Sequence, residues 1–269
     1  MKKSLLALGV LAATSSTAFA ADYTDGDIHK NDYKWAQFNI MYSVGEKPYG
    51  GDGNEDHDYL EMEFGGRSGI FDLYGYVDVF NLTQDEDQKK ANGTDTEKMF
   101  MKFAPRVSLD AVTGNDLSFG PVQEVYVATL FNWGGNDGVD NANIGLGSDV
   151  MVPWLGKVGL NLYAHYEIGD KEWNGFQIST NWFKPFYFFE NGSFISYQGY
   201  IDYQFGMDKD IELDSGSGGA MFNGIYWHSD RYSVGYGLKA YKDVYGLEDG
   251  VFGLETTGFS HYFAATYKF

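Results

Sequence analysis

Apolar and polar residues alternate with a period of two in segments of about ten residues along most of the chain, the mark of strands with one face in an apolar phase. Ala36, Phe38, Ile40 and Tyr42 alternate with Gln37, Asn39 and Met41. Leu60, Met62 and Phe64 alternate with Tyr59, Glu61 and Glu63, and Phe71, Leu73, Val77 and Val79 with Asp72, Tyr74, Tyr76 and Asp78. Met99, Met101, Phe103, Val107 and Leu109 alternate with Lys102, Arg106 and Asp110. The pattern returns at 158–165, 176–182 and 232–239, more weakly at 122–133, 143–152, 194–205 and 220–227, and finally at 259–269, where Phe263, Ala265, Tyr267 and Phe269 share a face. These segments predict twelve strands, an even number that suits a bacterial barrel. The connections agree. Segments 45–57, 81–97, 134–141, 167–174, 206–219 and 243–258 are polar, acidic or Gly-rich and mostly long; 65–69, 111–118, 153–156, 185–192 and 228–230 between them are short.

No stretch beyond the N-terminus has the roughly 18 consecutive apolar residues of a membrane helix. Only a closed sheet leaves no unpaired backbone in hydrocarbon. The pattern therefore predicts an all-β fold, a 12-stranded antiparallel transmembrane β-barrel of the bacterial outer membrane, with Tyr42, Tyr59, Trp133, Trp154, Trp173, Trp182 and Tyr267 near strand ends as interfacial girdles. The N-terminus supports export. Lys2 and Lys3 precede a short apolar stretch and Ala18-Phe19-Ala20, which predicts a signal peptide at 1–20 and a barrel at 21–269. A soluble β-sandwich with an aromatic core is the alternative, and the mean hydropathy of −0.34 alone would favour it.

Composition adds three points. With no cysteine, no disulfide supports the fold. A net charge of −19, made more negative by loss of Lys2 and Lys3, argues against nucleic-acid binding. The aromatic content is high, with 21 Tyr, 21 Phe and 6 Trp. On the strand register, the inner face carries Glu61, Glu63, Asp72, Asp78, Lys102, Arg106, Asp110, Glu124, His165 and Lys239, with Tyr59, Tyr74, Tyr76, Phe100, Tyr126, Tyr163 and Tyr241. Two readings are open. Rings that stack on flat heterocycles and carboxylates that bind hydroxyls make a selective channel; the same residues as an ion-pair network would fill the barrel. Neither a Gly-x-Ser-x-Gly elbow nor a cofactor motif is present, and the adjacent Ser260 and His261 point to opposite faces of a strand, so no enzyme and no cofactor are expected. The oxygen-rich segment 135–143 lacks EF-hand spacing and reads as a solvated loop, so no metal site is assigned.

Several motifs carry a resemblance. Residues 58–64 (DYLEMEF), 71–78 (FDLYGYVD), 116–126 (DLSFGPVQEVY), 144–149 (IGLGSD), 172–175 (EWNG) and the Thr257-Gly258-Phe259 pattern resemble the nucleoside-specific channel family typified by Tsx. Segments 28–35 (IHKNDYKW) and 182–191 (WFKPFYFFEN) resemble its outer membrane protein K branch from vibrios. The resemblance spans the mature chain. It implies a monomeric barrel in outer-membrane lipid and lipopolysaccharide, passive uptake of nucleosides or similar small solutes, and a bacteriophage-receptor role; a surface barrel serving mainly as phage receptor is the alternative. Carried over by position, the nucleoside-binding candidates are Glu61, Glu63, Asp72, Tyr74, Tyr76, Asp78, Glu124 and Tyr126, with Lys102 and Arg106 also in the lumen. The chain departs from the family at Gln177, Ser179 and Asn181, neutral where the enterobacterial pattern is basic.

Overall fold

The computed structural model describes residues 23–50, 56–83, 99–134 and 139–269. The expected leader, most of loop 81–97 and parts of loops 45–57 and 134–141 lie outside the described residues. The spanning strands are β1 (Tyr33–Val44), β2 (His57–Ser68), β3 (Phe71–Phe80), β4 (Met99–Phe103 continued by Arg106–Ser108), β5 (Val122–Trp133), β6 (Asp140–Val152), β7 (Gly156–Glu167), β8 (Glu172–Phe188), β9 (Phe194–Phe205), β10 (Ser217–His228), β11 (Tyr232–Lys242) and β12 (Gly258–Lys268). Each pairs antiparallel with its sequence neighbours, and β1 pairs with β12 as well as β2, so the twelve strands close into a barrel.

The alternation holds. Phe38, Ile40 and Tyr42 on β1, Ile144 and Leu146 on β6, Leu160 and Leu162 on β7 and Phe259 and Phe263 on β12 are exposed on the outside. Their neighbours Asn39, Ser43, Asn143, Asn161, Tyr163, Ser260 and Tyr262 are buried inside. Trp133, Trp154 and Trp173 are exposed at strand ends as expected of girdles. Two girdle assignments are corrected. Tyr59 points inward, buried among Met41, Tyr226 and Tyr262. Trp182 is not at a strand end, because β8 runs on to Phe188. It is buried, its ring lying over Gly199, where a Cβ would come within 2.6 Å of it.

The fourth strand also differs. Pro105 supplies no N–H to the ladder, and regular pairing lapses at Ala104 and Pro105. After Ser108 the chain turns into the short helix Leu109–Thr113, whose Ala111 N–H is capped by the Ser108 hydroxyl at 3.1 Å. Leu109 and Asp110 are therefore not strand residues. The Asp110 carboxylate accepts from the N–H groups of Leu117 (2.9 Å) and Val125 (3.0 Å) and braces the turn. Burial raises its pKa against those bonds. This connection, 109–121, is longer than the short turn expected.

Candidate functional site

The inward side chains form three tiers. At the periplasmic end Arg67 makes a bidentate pair with Glu124, at 2.5 and 2.7 Å, and both are buried. Ser108 also donates to Glu124. Tyr23, in the segment leading to β1, is buried with its ring 5.3 Å from the Arg67 guanidinium, and Asn31 donates to its hydroxyl at 3.0 Å. The described segment leading into β1 thus lies against the lumen floor. One strand further round, Arg106 pairs with Asp72 at 3.2 Å and Asp149 at 3.0 Å, its guanidinium 4.0 Å from the Tyr126 ring centroid. Lys157 adds a second cation to Asp149 at 3.1 Å. Four expected site residues, Asp72, Arg106, Glu124 and Tyr126, are therefore tied up in an ion-pair network.

The middle tier has another character. Glu61, Glu63 and Asp78 share one wall, with Glu61 directly opposite Asp78 across the β2–β3 ladder. Among the described residues no Lys or Arg pairs with them. Glu63 accepts from Gln37 (2.6 Å), Tyr74 (2.8 Å) and Asn39 (3.3 Å), and Glu61 accepts from Asn39 at 2.5 Å. Asp78 is buried, and its Oδ1 has no hydrogen-bond partner among the described residues. Rings run along the same wall, with Tyr74 and Tyr76 centroids 6.2 Å apart and Tyr76 and Phe100 5.9 Å apart. From β9 and β10, Tyr200 and Phe222 stack at 5.7 Å and 13°. Phe222 and Tyr226 lie flat on the wall because Gly237 and Gly235 leave room: a Cβ at either would fall 2.2 Å from the ring atoms. Lys102 of β4 reaches Asp202 of β9 at 2.9 Å.

At the extracellular tier Lys239 lies 4.9 Å from the Tyr241 ring centroid and 3.6 Å from Glu46, which follows β1 and also sits 2.7 Å from His57 Nε2. Burial opposes the charge on Glu46, but His57 and the Lys239 ammonium outweigh it and hold its pKa at about 2. His165 is engaged elsewhere, its Nδ1 2.7 Å from Asn143 Oδ1.

The middle tier unites Glu61, Glu63, Tyr74, Tyr76, Asp78 and Lys102 from the sequence reading. It adds Tyr200 and Asp202, and the periplasmic tier adds Arg67, Asp149 and Lys157. Arg67 was within reach, four positions beyond Glu63 on the same strand face. Tyr200 and Asp202 were hidden on β9, whose outer face also carries the tyrosines Tyr197 and Tyr203, so that alternation fades.

Comparison with known proteins follows the same line. Over 269 residues, the whole of both chains, this chain is 70% identical to outer membrane protein OmpK of Vibrio parahaemolyticus. It is 30% identical, again over the whole of both chains, to the nucleoside-specific channel-forming protein Tsx of Klebsiella pneumoniae. The Tsx family of nucleoside-specific channel-forming proteins matches residues 30–269. Names and fold together indicate a channel rather than an enzyme. With the barrel closed and its apolar belt facing outward, the chain is an outer-membrane channel and belongs to the Tsx family of nucleoside-specific channel-forming proteins.

Proposed function

We propose that the barrel conducts nucleosides and similar small planar solutes by passive diffusion. The observation that carries this reading is the middle tier, where carboxylates that make no ion pair among the described residues stand beside a run of rings. Tyr74, Tyr76, Phe100 and Tyr200 offer faces for a heterocycle; Glu61, Glu63 and Asp78 accept from hydroxyls and amino groups. Base–aromatic stacking contributes about 1–3 kcal/mol per base, enough to select and weak enough to release, as conduction requires. Nucleotides are disfavoured, because their phosphates would meet three carboxylates in a poorly screened space. Lys102 in the same tier is held by Asp202, and the cations of the periplasmic tier are paired as well, so they offset this only in part. The test is planar-bilayer conductance with adenosine, thymidine and their monophosphates. Saturable block by nucleosides, weaker with monophosphates and weakened in Tyr76→Ala, is the expected result. Absence of nucleoside block, with glucose passing equally well, would leave a general small pore.

A second reading, a bacteriophage-receptor role, is favoured by apolar side chains at the extracellular end. Phe252 and Ile211 are 83% and 63% exposed in the loops after β11 and β9. Adsorption to cells carrying Phe252→Ser with Ile211→Ser should fall. Undiminished adsorption, persisting when each long loop is shortened in turn, would remove this role.

A further inference from the structure

Lys102 and Asp202 are partners from opposite walls. Going round the barrel, β5 to β8 separate β4 from β9 on one side, and β3, β2, β1, β12, β11 and β10 on the other. Their 2.9 Å contact therefore crosses the lumen. Both ends are held. Lys102 Nζ lies between two rings, 5.9 Å from the Tyr76 centroid and 5.8 Å from that of Tyr200. Asp202 accepts from Ser179 Oγ at 2.6 Å through its other oxygen.

The contact also measures the barrel. An extended lysine, an aspartate and one hydrogen bond span roughly 13 Å between backbones. Twelve strands about 4.8 Å apart and tilted about 40° would make a circular ring roughly 24 Å across. The cross-section at this height is therefore an oval, pinched between β4 and β9 to about half the circular width.

We infer that the Lys102–Asp202 pair is a strut across the pore that sets its narrowest passage and hence the size of solute admitted. The passage beside it is bounded by Tyr76 and Tyr200, and a solute must slide past these rings edge-on or part the two charges. A flat solute with both an acceptor and a donor edge replaces each half of the contact as it passes, Lys102 donating to it and Asp202 accepting from it. A bulky solute without such edges is stopped. The inference needs only that the barrel conducts, and stands apart from which solute it prefers.

The test uses the full-length protein reconstituted in liposomes and planar bilayers, with heat-modifiable electrophoretic mobility as the check that each variant is folded. Lys102→Met and Asp202→Asn should each raise single-channel conductance in KCl at least twofold. They should also let a disaccharide such as sucrose pass in liposome swelling where the wild type excludes it. The exchange Lys102→Asp with Asp202→Lys should bring both readings back toward wild type. Conductance and sucrose exclusion unchanged in both single variants, or an exchange variant as leaky as the singles, would overturn the strut. Should wild type show no block by adenosine while the singles still open to sucrose, the nucleoside reading would fail and the strut would stand.

Discussion

Leu162 tests the register of the barrel most directly. It is the seventh residue of the twelve in β7, between Leu146 of β6 and Ile178 of β8, and 51% of its surface is open on the outside. At roughly 2.5 Å of height per residue for a strand tilted about 40°, this position is within a few ångströms of the bilayer midplane. An arginine there costs about 2–4 kcal/mol. At about 1.4 kcal/mol per factor of ten, that is a thirty- to several-hundred-fold fall in the folded-to-unfolded ratio. The control needs a lumen position with room. Asn161 and Gln177, which a sequence-based choice would favour as tolerant, are unsuitable, being 6% and 3% exposed. Asn161 Oδ1 would lie 2.3 Å from a Cβ on Gly147, so an arginine would have to displace packed wall. Asn181 is exposed and inward-facing, opposite Gly159 and Tyr200, and Asn181→Arg should cost under about 1 kcal/mol. The assay is urea-dependent folding into phosphatidylcholine vesicles, read by electrophoretic mobility. Equal losses in Leu162→Arg and Asn181→Arg, or a loss below about 1 kcal/mol at Leu162, would refute the reasoning.

Three further outcomes are expected. Arg67→Met strands the Glu124 carboxylate in the lumen floor and should destabilise the barrel by about 3–5 kcal/mol in the same assay, whereas an effect below about 1 kcal/mol would show the pair to be dispensable. Glu46 is held at a pKa of about 2, below its ordinary 4.5, so its contribution is complete above pH 4.5 and is lost as pH falls toward 2; a conductance step in that window should be present in wild type and missing in Glu46→Gln, and an equal step in both would refute it. Gly237→Val would drive the Phe222 ring off the wall and should lower ion conductance with the barrel still folded; unchanged conductance would count against a ring-lined passage.

What was legible followed from the two solvents on either side of the sheet. Phe38, Ile40 and Tyr42 must meet lipid while Gln37 and Asn39 must meet water, so β1 announces its faces. Inside, the same physics separates polar from apolar but cannot name partners. Glu61, Lys102 and Arg106 were assignable to the lumen, yet nothing local says that Lys102 crosses to Asp202 while Arg106 stays among Asp72 and Asp149. Those pairings depend on the oval section and on strands far apart in the chain. The misplacement of Asp110 has a local cause. Alternation carries the eye through Pro105 and on to Leu109, but the N-cap Ser108 and Gly114 in the left-handed region (φ 67°) set a helical turn there. Tryptophans gather at interfaces, which makes Trp182 a girdle residue by sequence; the pit above Gly199, formed only once β8 and β9 are in register, holds it instead.

The pairing of the first strand with the last, Phe38 opposite Tyr267 and Ile40 opposite Ala265, has a consequence for how the molecule comes into being. Every other ladder of the barrel wall joins strands that are neighbours in sequence and can zip up as hairpins within microseconds. The seam must bring together residues about 230 positions apart, an entropic cost of roughly 5 kcal/mol for a flexible chain. Until it closes, β1 and β12 both present bare hydrogen-bonding edges, the kind that recruit other chains. The barrel therefore cannot mature piecemeal as the polypeptide is delivered. It passes through a late, open-sided sheet whose two edges need shelter, by the membrane or by escorting proteins, until β1 and β12 meet and the ring is sealed.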